Sequence, residues 1–229
     1  MSSPRRVPQE RRGRTDLRLQ LASACAAALL AFAVSGGAAA FTVTIPAGVL
    51  TGTLYLQIGV GNGGTFQGGN LATNATQNTE TATVPASALG NGTAQAMTTN
   101  SSVTTSAYNG RTFCTVPGQL YIGAYYQVPV VALGWSSTAS VRATVPAALS
   151  DASGDTISFS RISWTSSGIG DSGAEVFPAG TFAAGTTQAV GTLSQNQWGE
   201  SCWAFSYANT TVPRAGTYSG IVLYTLSDP

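Results

Sequence analysis

Hydrophobic residues alternate with polar or small ones in several runs along the chain. Leu54, Leu56, Ile58 and Val60 form one run, and Leu120, Ile122, Ala124 and Tyr126 form another. Phe41, Val43 and Ile45 precede them, while Tyr218, Val222, Tyr224 and Leu226 follow near the end, with Gly220 in the same register. Successive side chains of an extended chain point to opposite faces, so a period of two marks half-buried strands rather than helices. Between the runs stand Gly61-Asn62-Gly63-Gly64, Gly90-Asn91-Gly92 and Ser153-Gly154-Asp155, residue types that tolerate the positive φ of tight turns. No stretch carries the caps and 3.6-residue period of an amphipathic helix.

Turn signals about ten residues apart predict roughly nine to eleven strands, arranged as an all-β antiparallel sandwich of two sheets. Thr44-Ile45-Pro46-Ala47, Thr83-Val84-Pro85-Ala86 and Thr144-Val145-Pro146-Ala147 share a signature, read as a strand that stops where proline removes an N–H from the ladder. Segments 61–78 and 99–109 are the stretches expected to be loops and to offer a mobile or binding surface.

The first 40 residues lie outside this pattern. Six arginines, Arg5 to Arg18, precede the apolar stretch Leu21–Val34 and then Ala38-Ala39-Ala40, the layout of a secretory signal peptide. An Ala-rich run of about 14 residues is short for a membrane span. Neither arginine pair is followed by the bulky apolar pair of a twin-arginine signal, which favours the general export route. Residues 41–229 are therefore expected to form a single secreted β-sandwich domain, located outside the cell, in a periplasm or at the cell surface.

Export changes the charge. After residue 40 there are four arginines, no lysine and seven acids, so the exported part is net acidic although the whole chain is +1. Four cations are too few to neutralise a phosphate backbone, which excludes nucleic acid as an expected partner. Cys114 and Cys202 remain in an oxidising compartment and are expected to form a disulfide, with two free buried thiols as the alternative.

The chain contains no histidine. Gly170-Asp171-Ser172-Gly173-Ala174 is close to a serine-protease nucleophile string, but neither histidine nor lysine is available to take the serine proton. Histidine-ligated metal is excluded on the same ground, and no cofactor is expected. Gly59-Val60-Gly61-Asn62-Gly63-Gly64 satisfies a dinucleotide-binding string without the helix that would hold a pyrophosphate. Glu80, Asp151, Asp155, Asp171, Glu175 and Glu200 leave room for a two-carboxylate glycosidase, although solvated loop acids are the simpler reading. Asp151 and Asp155 fit no standard calcium loop.

Trp203, Phe205 and Tyr207 share one face of a strand whose opposite face carries Cys202. If the disulfide is in the core, these rings form an exposed row suited to stacking on sugars or on a partner. If the rings are the core, the disulfide lies at the rim. Tyr121 and Tyr125 pose the same question.

From Gly154 onward the order of features resembles the spore coat protein U and archaic chaperone–usher pilin group. The residues that carry it are Gly154-Asp155-Thr156-Ile157-Ser158-Phe159 and the terminal Arg214-Ala215-Gly216-Thr217-Tyr218-Ser219-Gly220-Ile221-Val222-Leu223-Tyr224-Thr225-Leu226. The resemblance implies an immunoglobulin-like sandwich that lacks a strand, completed by an extended segment donated from a neighbouring subunit. Phe41, Val43 and Ile45 suit a donor strand. The expected function is thus a non-enzymatic structural or adhesive surface protein, fimbrial-like or coat-like, partnered by itself or by other surface subunits. The alternative is a carbohydrate-binding module that takes glycans on Trp203, Phe205 and Tyr207.

Overall fold

The computed structural model describes residues 43–44, 53–66, 69–70, 76–128, 136–168 and 175–227. All of them fall in one unit, Ala39–Pro229. The strands in the first half are β1 (Val43–Thr44), β2 (Thr53–Ile58), β3 (Gly61–Phe66), β4 (Gly69–Asn70), β5 (Glu80–Thr81), β6 (Gln95–Ala96), β7 (Thr98–Thr99) and β8 (Leu120–Gln127). The second half holds β9 (Thr138–Thr144), β10 (Ala148–Ser150), β11 (Thr156–Ser158), β12 (Ile162–Ser167), β13 (Gly180–Thr181), β14 (Thr187–Ser194), β15 (Gln197–Tyr207) and β16 (Leu223–Ser227). Helical structure among the described residues is limited to the 3-10 turns Ala86–Ala88 and Phe159–Arg161. The described residues are almost wholly β and antiparallel, as the alternation predicts. The strands outnumber the expected nine to eleven because five of them (β1, β4, β5, β6 and β13) together with β7 are two-residue ladders too short to leave a hydrophobic period.

The large sheet runs β13-β12-β15-β8-β2-β3-β4, with β1 and β6 also paired to β15, and a second sheet runs β14-β9-β16. They face each other in a sandwich-like arrangement because one face of each is apolar. Leu120, Ile122, Ala124 and Tyr126 of β8 turn inward with Leu54, Leu56 and Ile58 of β2. Ala139, Val141 and Ala143 of β9 and Val222, Tyr224 and Leu226 near the C-terminus meet them from the second sheet. Small alanines on β9 leave room for the large rings of the opposing sheet, the size alternation that dense packing requires.

Those rings are Trp164 on β12 and Trp203 and Phe205 on β15, joined by Phe159, Phe177 and Phe182. Trp164 lies 5.0 Å from Trp203 and 4.8 Å from Phe182, centroid to centroid, within the range where aromatic pairs attract. A buried indole N–H needs an acceptor. Trp203 Nε1 donates to the Phe177 carbonyl at 3.0 Å and Trp164 Nε1 to the Pro178 carbonyl at 2.9 Å. The segment through Phe177 is thus a plug, and glycines make way for it. A Cβ at Gly191 would stand 2.2 Å from the Phe177 ring.

Two sequence signatures take their physical meaning here. The Gly59–Gly64 string is the two-residue turn Gly59-Val60 of the β2–β3 hairpin followed by the start of β3, with Ile58 opposite Gly61 and φ of 54° at Gly59, so it is a hairpin and not a phosphate loop. Gly64 has φ of 92°, and a Cβ there would fall 1.9 Å from the Leu54 carbonyl. The expected loop at 61–78 is corrected in part, since β3 and β4 lie within it. Thr144 does end β9 before Val145-Pro146. The Thr83 signature instead leads from irregular backbone into the 3-10 turn at Ala86.

Replacing Trp203 with Ala removes a ring with no exposed area from this core and is expected to cost about 3–5 kcal/mol, read as a lowered urea midpoint at constant slope. A loss below about 1 kcal/mol would show that the ring does not carry the core.

Candidate functional site

β15 is the element on which the disulfide, the aromatic row and the expected donor strand meet. Along one edge it pairs with β8 from Gln197 to Ser201 and with β6 at Ser206–Tyr207. Along the other edge β12 covers Cys202 to Tyr207, and β1 covers Gln197 and Trp198 through Thr44 and Val43. β1 therefore continues the line of β12 and runs antiparallel to β15 like it. Between them Gly199, Glu200 and Ser201 have no ladder partner on this edge among the described residues. A row of backbone donors and acceptors of this kind receives an extended segment, and the chain's own Val43–Thr44 is paired there. Val43 is the described member of the expected donor set; Phe41 and Ile45 lie outside the described residues.

The two faces of β15 differ in chemistry. Trp203 and Phe205 point into the sandwich and are 0% and 5% exposed, and Tyr207 is 7% exposed. The exposed-row reading is thereby corrected: Trp203 and Phe205 pack on Trp164 and Phe182, and none of the three offers solvent a stacking surface. The opposite face carries Trp198 and Cys202, and it too is covered. Tyr55, Tyr121, Tyr125 and Cys114 join them in a second buried cluster, with Val103, Tyr108 and Phe113 partly buried against it. Both alternatives at the sequence level assumed one wet face, whereas this strand has none.

The cover is the segment before Cys114. It folds back on itself through Ser106 N to the Arg111 carbonyl at 2.8 Å and Phe113 N to the Thr104 carbonyl at 2.7 Å. Cys114 and Cys202 are joined as a disulfide across 88 residues with Cα atoms 5.5 Å apart. Tyr108 stacks toward Trp198 at 5.9 Å, Tyr55 lies on Trp198 at 5.8 Å, and Phe113 meets Tyr121 edge-on. The Tyr121 hydroxyl donates to Glu200 Oε2 at 2.8 Å and accepts from Ala107 N at 3.2 Å. Burial, reinforced by the Glu200 charge, pushes its pKa far up, so it stays a neutral donor at every physiological pH. The expected loop at 99–109 is thus a strap held over the outer face.

The described acids are held by separate partners. Glu200 is engaged with Tyr121 on the outer face, while Glu175 accepts from the hydroxyl of Ser201, whose side chain points to the opposite face. Asp151 Oδ1 accepts from Ser153 N at 2.9 Å and Asp155 N at 2.8 Å, which makes it the brace of its own turn. Asp155 lies 3.6 Å from the Arg214 guanidinium at the surface. Glu80 stands apart on β5. Asp171, with the Gly170–Ala174 string, lies outside the described residues. Among the described residues no group of three or more Cys, Asp or Glu is arranged to hold a metal. No described helix is long and apolar enough to cross a membrane.

Sequence reasoning missed Trp198, Tyr55 and the Tyr121–Glu200 pair. Their signal was parity: Trp198, Glu200 and Cys202 share one face of β15, just as Trp203 and Phe205 share the other. No protein-family model, no curated protein and no solved structure matches the chain.

Removing the disulfide by changing Cys114 and Cys202 to Ser is expected to cost about 4–5 kcal/mol of unfolding free energy, the chain-entropy value for a loop of this length. Changing Tyr121 to Phe is expected to cost about 1–3 kcal/mol by stranding the Glu200 carboxylate and the Ala107 N–H. Urea titrations against the disulfide-bonded wild type measure both. Equal stability of wild type and Tyr121→Phe would mean that this hydroxyl does not anchor the strap.

Proposed function

We propose that the chain is a non-enzymatic, secreted or cell-surface structural subunit, fimbrial-like or coat-like, whose immunoglobulin-like sandwich takes an N-terminal strand on the β15 edge. The observation that carries this reading is the antiparallel pairing of Val43 with Trp198 and Thr44 with Gln197. A ladder made within one chain uses the same backbone groups as a ladder made between copies. The segment can thus complement its own domain in isolation and a neighbour's in an assembly, the strand-exchange route to oligomers.

Chemistry supports the non-enzymatic half of the reading. The exported part has neither histidine nor lysine, and the described acids that remain are committed to turns, tyrosines or the interior. Its work then lies in surfaces and sheet edges. With Trp203, Phe205 and Tyr207 buried, the glycan-binding alternative has no exposed ring to stack on, so copies of this chain or other surface subunits are the partners proposed.

The test compares residues 41–229 with a variant that begins at residue 49, by size-exclusion chromatography with light scattering over a wide concentration range. The longer protein is expected to form concentration-dependent oligomers. The shortened one is expected to stay monomeric and to bind a synthetic peptide of residues 41–48. A longer protein that remains monomeric at every concentration would overturn the proposal.

A further inference from the structure

β5 and β7 form a two-residue ribbon, Glu80 opposite Thr99 and Thr81 opposite Thr98, that belongs to neither main sheet. β7 is tied to β15 through the preceding residue and to the turn before β8 through its own Thr99. Met97 N donates to the Phe205 carbonyl at 2.9 Å, and Thr99 N donates to the Pro117 carbonyl at 2.8 Å. β5 has no ladder partner but β7 among the described residues, and it reaches the large sheet through the residues just before it. The Asn78 amide bonds the Ile58 carbonyl at 2.6 Å and Val60 N at 3.1 Å. Beyond it, Asn100 N donates to the Thr79 carbonyl at 3.1 Å and Thr79 N to Asn100 Oδ1 at 2.8 Å.

The Glu80 carboxyl lies at this joint. Its Oε1 is buried and has no hydrogen-bond partner among the described residues, while the Thr99 hydroxyl bonds the carboxyl group. From β16 the phenol of Tyr224 stands near enough for the Glu80 charge to raise its pKa, adding to the larger effect of burial. Thr99 and Tyr224 are the polar groups that act on or feel this carboxyl, and Tyr224 is the titratable one. No arginine pairs with it among the described residues. A charge placed here is poorly solvated and poorly paired, and the relief the fold offers is for this two-residue strand, laddered to β7 alone, to move.

We propose that Glu80 is a proton-operated latch: protonated, it keeps β5 docked on β7 beside Tyr224, and ionised, it lifts β5 away and uncovers that end of the core. Burial pushes the docked carboxyl up to about 7 from an ordinary 4.5, with the Thr99 bond opposing. A carboxyl that holds its proton more tightly when docked favours docking fully below the ordinary value. That preference declines as pH rises from there through about 7 and stays low above it. Because the other moorings are independent of this proton, the large sheet is unaffected.

Native-state hydrogen exchange on the folded chain tests the latch, with rates corrected for base-catalysed intrinsic exchange. The probe is the Asn100 amide, bonded to the Thr79 carbonyl just before β5, and the control is the Met97 amide, bonded to Phe205 of β15. Between about pH 6 and about pH 8 the protection of Asn100 is expected to fall roughly tenfold while that of Met97 holds. Glu80→Gln, which cannot ionise, is expected to abolish the fall. Unchanged Asn100 protection in the wild type would overturn the proposal. So would an undiminished fall in Glu80→Gln, or a parallel loss at Met97. If Glu80→Gln fails to fold, the wild-type comparison of the two amides decides.

Discussion

A strand with large apolar side chains on both faces must be covered on both, and Gln197–Tyr207 is such a strand. Its inner face supplies Trp203 and Phe205 to the sandwich core, and its outer face supplies Trp198 and the disulfide cysteine Cys202. The three-stranded sheet answers the first requirement. The strap ending at Cys114 answers the second. A cross-link at Cys202 then fixes the strap where the rings need it, so the covalent bond and the aromatic packing enforce the same geometry. The buried N–H groups of Trp164 and Trp203 add a third requirement, met by the carbonyls of the plug at Phe177 and Pro178.

Covering both faces leaves edges as the available surface. β15 pairs with four other strands, two on each edge, and one of the four is the two-residue β1 from the N-terminal segment. Edge pairing depends on backbone groups and tolerates a wide range of side chains, which suits a chain rich in Thr, Ser, Gly and Ala and poor in charge.

Legibility in the sequence followed how each residue reports its face. The alternation at Leu120–Tyr126 and Leu54–Ile58 predicted the inward positions of β8 and β2 because the aliphatic residues recur at one parity, although Tyr121 and Tyr125 bury the other face of β8 as well. Gly61–Phe66 escaped notice because a run of glycines has no side chains to alternate, although its backbone pairs residue by residue with β2. β15 defeated the same method for the opposite reason. With bulky apolar groups at both parities, periodicity establishes that the strand exists but not which face is the core. The plug at Phe177 has no period at all, since its role depends on carbonyls reached by distant tryptophans. Among the candidate site residues, the cysteine pair was legible because only two cysteines follow the first 40 residues, whereas the supposed aromatic platform rested on the premise that one face stays wet.

The most direct test of this account is native-state hydrogen exchange along β15. With the disulfide intact, the laddered amides of Cys202–Phe205 are expected to exchange only through global unfolding, as slowly as any in the protein. Exchange of these amides faster than those of β16 at the sheet edge would contradict the claim that both faces of this strand are buried.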